Sequence, residues 1–362
     1  MLSVSAMRSW LVVLVLVMVG LRASAQPAPD LPVDAATRSK VIEAALATLN
    51  RYYVFPGVAA KINTEVRRRA AARAYDKVTS GRAFAELLTR DLRTVNHDPH
   101  IGVEFSLEPV PDRKVGQKLT PAQREQEHRR FTFSDAGFVK AERLAGNVGY
   151  LRLDQFAPPD QAAPRIAAAM SLLADTGALI VDLRANGGGW PATVALLTSY
   201  LFPAEQELHL YDIYARVDNT THQYWTSIEV SGKRFTGKPV YVVTSSHTFS
   251  AAEGFAYVVQ GQRRATVIGE VTGGGAHPSL VEKLDTHFLL VVPDSRVIDM
   301  VTHTDWEGTG VKPDVAVAAD QALEVAYRAA LDAVKPTIDA SVAPDAAKEV
   351  DEAIAKLPPV TR

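Results

Sequence analysis

The chain has 362 residues, of which 47% are hydrophobic and 22% are charged, and its formal net charge is −2. Such a composition is that of a globular protein, long enough for one large domain and a smaller one, and its near-neutral charge disfavours nucleic acid as a partner. The absence of cysteine excludes disulfides, thiolate metal sites and a cysteine nucleophile.

The N-terminus has the pattern of an export signal. Arg8 precedes the apolar residues 10–21, and residues 23–25 read A-S-A, an A-x-A cleavage sequence. The apolar stretch is short for a membrane span. We therefore predict a signal peptide over residues 1–25, a mature chain from Gln26 without a stable membrane span, and a periplasmic or secreted location. Residues 26–33 are expected to form a linker.

The next segment, residues 34–100, is predicted to be a small helical domain. Apolar residues such as Val41, Ala45 and Leu49 recur at helical spacing, and the series from Phe84 to Leu92 repeats the pattern. The sequence F-P-G at residues 55–57 separates these helices. Residues 101–105 alternate as in a strand, and the charged residues 113–130 indicate a loop or a short exposed helix.

From residue 146 onward, apolar strands alternate with helices. Strands are predicted at residues 148–153, 178–183, 240–244, 265–268 and 288–292, and helices at residues 161–174, 191–201, 251–259 and 322–334. This alternation predicts the α/β class, with a largely buried sheet covered by helices. The α/β core is expected over residues 101–335, followed by a C-terminal tail, residues 336–362, with a short helix at 347–357.

The stretch PVYVVTSSHTFSAAEGFAY, residues 239–257, places Ser250 where a strand and turn give way to a helix. A helix N-terminus favours negative charge, so this is a suitable position for a nucleophile whose reaction develops an oxyanion. The alternative is that Ser250 only caps the helix, which is the more common role on this stretch alone. Glu253 is expected to cap the same helix or to pair with a group near the base.

Four further motifs accompany this stretch: NHDPHIGV at residues 96–103, ALIVDLRANGGGW at 178–190, VIGEVTGGGAHP at 267–278, and WEGTGVKPD at 306–314. In this order the five motifs resemble the S41 serine peptidases. That family includes the tail-specific, carboxy-terminal processing proteases, the tricorn core protease and the interphotoreceptor retinoid-binding protein repeats. The resemblance implies a ClpP/crotonase-like spiral core with a small all-helical N-terminal domain. Too few residues separate Val103 from Val148 for a PDZ domain, as in the retinoid-binding-protein-type branch.

The resemblance also implies roles for individual residues. It assigns Ser250 as the nucleophile and the N–H groups of Ala251 and Gly188 as oxyanion donors. Consecutive glycines allow backbone N–H groups to approach a substrate closely, although a tight turn alone would also use them. Arg184 is expected to form a structural ion pair, either with Asp182 or with another carboxylate nearby.

Members of this family differ in the residue that acts as the catalytic base. Processing proteases use a lysine, but Gly275 stands at the matching position, and Lys283 lies too far along the chain to replace it. The tricorn-type branch instead uses a histidine and a glutamate, which match His100 as general base and Glu307 as orienting carboxylate. Pro99 stands where that branch has a further serine.

His100 has rival interpretations, because it could be a buried structural histidine. Three other histidines near these motifs are weaker candidates for the base: His97, His247 and His277. Metal binding is not predicted, because no histidine or carboxylate cluster has ligand spacing and Pro99 blocks a helix between His97 and His100.

The sequence therefore predicts an exported serine-type peptidase that acts on peptide or protein substrates through an acyl-enzyme on Ser250, without a cofactor. One alternative is a catalytically weak binding protein for a small hydrophobic ligand, like the retinoid-binding repeats. Another is an esterase.

Overall fold

Residues 29–112 and 120–357 of the chain are described here from a computed structural model. The predicted signal peptide and the first residues of the predicted linker lie outside this part of the chain. Within it, no helix combines the length and the apolar character needed to cross a membrane.

The helices and strands follow one another along the chain. The helices are α1 (Ala35–Tyr52), α2 (Pro56–Ala71), α3 (Gly81–Leu92), α4 (Pro121–Phe133), α5 (Pro159–Leu173), α6 (Pro191–Ser199), α7 (Ala251–Gly261), α8 (Ala319–Val334) and α9 (Pro344–Ala355). The strands are β1 (Gly102–Phe105), β2 (Phe138–Leu144), β3 (Val148–Leu153), β4 (Ala178–Asp182), β5 (His209–Ala215), β6 (Thr220–Trp225), β7 (Val240–Thr244), β8 (Thr266–Gly269), β9 (Ser279–Asp285), β10 (Phe288–Pro293), β11 (Ser295–Asp299) and β12 (Val315–Ala316).

A six-stranded sheet of order β12-β8-β7-β4-β3-β2 forms the centre, and in it only β2 runs antiparallel to its neighbour. Every residue of β4 is buried, because helices cover both faces of the sheet. Val181 packs with α5, α6 and α7 on one face, whereas Ile180 packs with α8 and α9 on the other. The predicted α/β class is confirmed. Arg184 forms the predicted ion pair with Asp182, at 2.7 Å between Nη2 and Oδ2.

The predicted N-terminal helical region is confirmed as α1, α2 and α3, and these helices share a hydrophobic core with a second sheet of order β1-β10-β9. Phe84 on α3 contacts Phe288 on β10, with ring centroids 5.8 Å apart. The prediction assigned β9 and β10 to the α/β core, but they pack on the helices because β10 pairs with β1. This long-range pairing leaves no trace in the local pattern of either strand.

A third sheet, of order β11-β5-β6, was not predicted. It matters for the site because Tyr211 and Ile213 of β5 and Val297 of β11 form one wall of the cavity described below. Of the loop and the short exposed helix considered for residues 113–130, the described part of this segment forms the helix α4, and the predicted tail helix is α9.

Candidate active site

Ser250 lies on the tight turn between β7 and α7 and has a strained backbone, with φ 55° and ψ −121°. A positive φ is uncommon for a serine and costs about 1–3 kcal/mol, so the surroundings must hold it in place. The Ser250 N–H donates to Glu253 Oε2 at 2.7 Å, and the Phe249 N–H donates to the Asn186 carbonyl at 3.0 Å. The turn is therefore braced from both the helix and the glycine-rich loop after β4.

The Glu253 carboxylate is fully buried and bonds both to the Ser250 turn and to the loop 272–275. Its Oε1 accepts from the Thr272 hydroxyl and from Gly274 N–H, at 2.5 and 2.7 Å, and its Oε2 accepts from Gly275 N–H at 2.8 Å as well as from Ser250. Burial raises the pKa of Glu253, although these donors act in the opposite direction. The predicted capping role is confirmed, but sequence reasoning missed the contacts with the loop 272–275.

Two backbone N–H groups beside Ser250 make no hydrogen bond to any described residue: those of Ala251 and Gly189. The structure corrects the prediction for Gly188. Its N–H donates to Asn186 Oδ1 at 2.8 Å, and the residue is buried, whereas Gly189 is exposed. Gly188 instead lets the two loops approach each other, because a Cβ there would lie 2.8 Å from the Ser250 Cβ.

Ser250 and Ala251 open on a cavity of about 290 Å³. Its walls are mainly apolar, and it also contains the exposed Gly189. The lining residues are Gly189, Pro191, Val194, Tyr211, Ile213, Ser250, Ala251, Gly254, Gly275, Ala276, Pro278, Ser279, Val297 and Trp306. A small pocket with apolar walls and a few polar groups is the usual form of a binding site.

His100 lies beside the Ser250 turn. Its ring packs against Phe249, with centroids 4.8 Å apart, and Arg93 holds its backbone by donating to the carbonyls of Pro99 and Ile101 at 2.7 and 2.6 Å. Burial lowers the pKa of His100 to about 4, so the imidazole is neutral at neutral pH.

Two carboxylates flank the His100 ring without bonding to it. Nδ1 lies 3.8 Å from Glu307 Oε2 and 3.9 Å from Asp98 Oδ1, and it has no hydrogen-bond partner. The structure therefore brings the predicted Glu307 close to His100, but at a distance too long for a hydrogen bond. Burial raises the pKa of Glu307 to about 8.

His277 lies in the same cluster and is more tightly held. Its Nδ1 is 3.2 Å from Asp98 Oδ2 and 3.4 Å from Glu307 Oε2. Burial acts against protonation, but the hydrogen bond with Asp98 and the charge of Glu307 raise the pKa of His277 overall. Asp98 also accepts from the Tyr53 hydroxyl at 2.9 Å. Asp98 and Tyr53 were not predicted as site residues, although Asp98 stands in the motif that carries His100.

The other predicted basic residues lie outside the site. His247 lines a separate surface depression with Glu270, and His97 is exposed. Lys283 is bound to Asp112, with Nζ 2.7 Å from Oδ1. Of the four histidines considered, His100 and His277 thus lie in one cluster with Asp98 and Glu307, and His100 contacts Phe249 on the Ser250 turn.

Comparison with known families agrees with this architecture. A family model described as peptidase family S41 matches residues 147–317, and one described as the N-terminal domain of peptidase S41 in eukaryotic IRBP matches residues 35–132. The carboxyl-terminal-processing protease of Synechocystis sp. is 33% identical over 203 residues, covering 52% of this chain and 44% of that protein. The protease of the same name from Picosynechococcus sp. is 29% identical, and the match covers 53% of this chain and 46% of that protein. The chain thus spans less than half the length of these relatives.

Solved structures share the fold at low sequence identity. A candidate peptidase from Parabacteroides merdae has a TM-score of 0.57 at 19% identity, covering 81% of this chain and 96% of that one. The tricorn protease has a TM-score of 0.51 at 13% identity, covering 83% of this chain and 37% of that one.

Proposed function

The chain belongs to peptidase family S41, and from this premise we propose that it is a serine-type peptidase that cleaves peptide bonds through an acyl-enzyme on Ser250. One observation carries the proposal. A serine on a strained turn, with a free backbone N–H directly after it, opens on an apolar cavity. This is the arrangement that nucleophilic attack on a carbonyl requires.

The first step is attack of the Ser250 Oγ on the scissile carbonyl carbon, which places a negative charge on the carbonyl oxygen. The N–H groups of Ala251 and Gly189 stabilise this oxyanion in the proposal, because both residues lie at the cavity and neither N–H has an acceptor among the described residues. Removing one such donor typically costs about 3 kcal/mol of transition-state stabilisation.

His100 accepts the Ser250 proton and passes it to the leaving amine, and water then hydrolyses the acyl-enzyme with the same base. The neutral state of the buried imidazole makes it available for this role. Once His100 is protonated, its positive charge lies within 4 Å of carboxylate oxygens of Asp98 and Glu307. The Asp98 carboxylate stabilises the imidazolium. Because the pKa of Glu307 is about 8, the new positive charge also favours ionisation of Glu307, although neither group is hydrogen-bonded to the ring beforehand.

Labelling with a fluorophosphonate probe tests the nucleophile. We expect the folded protein to be labelled, and Ser250→Ala to abolish labelling. Ser246→Ala is the matched control, because Ser246 is an exposed serine on the same turn, and it should be labelled like the parent. No labelling of the folded parent would contradict the hydrolase and support the hydrophobic-ligand binding protein. A panel of peptide and ester substrates then distinguishes a peptidase from an esterase.

We also propose that the peptidase is exported, on the basis of the pattern in residues 1–25. The test is the mass of the chain recovered from cells that express the whole sequence. A mature chain that begins at Gln26 supports export, and recovery of the uncleaved chain from the cytoplasm contradicts it.

A further inference from the structure

We propose that Asp98, His100, His277 and Glu307 form a zinc-binding site beside Ser250. The proposal concerns metal binding and stands independently of peptidase activity. It is carried by the mutual distances of four potential ligand atoms and by two buried polar atoms that lack partners.

The ligand atoms are spaced as around one small ion. Ligand atoms of Asp98, His277 and Glu307 all lie within 4.8 Å of one another. His100 Nδ1 adds a fourth, 3.8 Å from Glu307 Oε2 and 3.9 Å from Asp98 Oδ1, while His277 Nδ1 lies 3.2 Å from Asp98 Oδ2. Tetrahedral zinc with bonds of about 2.0 Å sets its ligand atoms roughly 3.3 Å apart. The distances from His277 Nδ1 to Asp98 and Glu307, 3.2 and 3.4 Å, already match this spacing, whereas those from His100 Nδ1 would have to shorten by roughly 0.5 Å.

Two buried atoms of this cluster have no hydrogen-bond partner in the described chain: His100 Nδ1 and Glu307 Oε1. A buried polar atom without a partner is costly, and such atoms are few in folded proteins. Both atoms belong to the side chains that complete the proposed ligand set. A cation bound to His100 Nδ1 and to both oxygens of the Glu307 carboxylate would satisfy the two atoms together.

Hydrogen bonds from outside the cluster hold the carboxylates in place. The Tyr53 hydroxyl donates to Asp98 Oδ2 at 2.9 Å, the His100 N–H to Asp98 Oδ1 at 3.0 Å, and the Ala276 N–H to Glu307 Oε2 at 2.6 Å. Such contacts orient metal ligands in proteins. Among the described residues, Asp98 and Glu307 pair with the two histidines and with no lysine or arginine, so the side chains that face each other here are all metal-ligand types.

Two imidazole nitrogens and two carboxylates favour zinc over magnesium or calcium, which prefer oxygen ligands alone and more of them. Zinc on Nδ1 of His100 would leave that imidazole without a nitrogen able to accept the Ser250 proton, since Nε2 then carries a hydrogen. If the proposed function is correct, zinc is therefore an inhibitor.

The test is a titration of the chelator-treated, folded protein with Zn²⁺ in competition with a chromophoric chelator. We expect one Zn²⁺ per chain, and at least a 100-fold weaker Kd in His277→Gln and in Glu307→Gln. His247→Gln is the control, because His247 lies in the separate depression, and it should bind like the parent. Circular dichroism establishes that each variant is folded. If His277→Gln does not fold, Glu307→Gln alone tests the site, because Glu307 is only partly buried and its substitution disturbs the core less.

Co²⁺ provides a second readout, because tetrahedral Co²⁺ absorbs strongly in the visible range and octahedral Co²⁺ does not. Absence of stoichiometric Zn²⁺ uptake by the parent, or equal Kd values in Glu307→Gln and His247→Gln, would overturn the site. Fluorophosphonate labelling with and without Zn²⁺ separates the two proposals. Zinc binding without any labelling would contradict the proposed peptidase activity and support the zinc site. Labelling without zinc binding would support the peptidase activity and contradict the zinc site.

Discussion

The imidazole of His100 occupies the space that a side chain on Gly275 would need. A Cβ built on Gly275 lies 2.5 Å from His100 Cε1, and it also collides with the ring of Phe249. The resemblance to processing proteases places their lysine base at this position. A side chain at residue 275 and the present position of the His100 ring therefore exclude each other, and this chain has the histidine.

We predict that Gly275→Lys does not create a working lysine base. Even a Cβ at this position displaces His100 or Phe249, so the smaller substitution Gly275→Ala already tests the effect. It should lower the free energy of unfolding by about 1–3 kcal/mol, and it should slow fluorophosphonate labelling. Gly57→Ala is the control, because a Cβ there meets no atom within 4 Å, and its stability should not fall. Denaturant unfolding measures both variants. Faster labelling in Gly275→Lys than in the parent would contradict the prediction.

His100→Gln should slow acylation of Ser250 by about 10²–10⁴-fold, because glutamine cannot accept the hydroxyl proton. The rate of fluorophosphonate labelling measures this effect, and His247→Gln should leave it unchanged. A variant that unfolds at the same denaturant concentration as the parent and is labelled as fast would show that His100 is not the base.

Glu253→Gln should destabilise the protein by about 2–4 kcal/mol, because an amide cannot accept from all the donors that converge on the buried carboxylate. Labelling should also slow, since Ser250 and Gly275 donate to the same Glu253 oxygen. Glu270→Gln is the matched control, because this partly exposed carboxylate after β8 also accepts from backbone N–H groups, those of Ser246 and Ala319. We expect it to change stability and labelling little. Equal effects in the two variants would argue against a special role for Glu253.

The cavity beside Ser250 should accept an apolar side chain from the residue on the N-terminal side of the scissile bond. Val297→Phe fills part of this space, so cleavage should shift from large apolar residues towards alanine at that position. Val281→Phe is the control, because Val281 is exposed on β9, away from the cavity. Profiling with a peptide library measures both. If the parent preferred a charged residue at that substrate position, the apolar walls of this cavity could not be the binding site for it.

The elements with strong local patterns could be predicted from sequence. Helical spacing identified α1 and α3, and unbroken apolar runs identified β4 and β7, because the period of burial is set by each element itself. The short polar strand β6, by contrast, has an exposed pattern and went unnoticed. The position of Ser250 at a strand-to-helix turn was also predicted, since both flanking elements have clear sequence signals.

What the sequence by itself determined is therefore the α/β class, the helical N-terminal region and the turn that presents Ser250. Only the tertiary structure decided that Asp98 and His277 lie 3.2 Å apart, although 179 positions separate them along the chain. It also decided that the Asn186 side-chain oxygen accepts from the Gly188 N–H, whereas the Gly189 N–H has no acceptor among the described residues. Local periodicity reports which face of an element is buried, whereas a site assembled from several loops depends on how distant segments pack, and that information is in no single stretch of sequence.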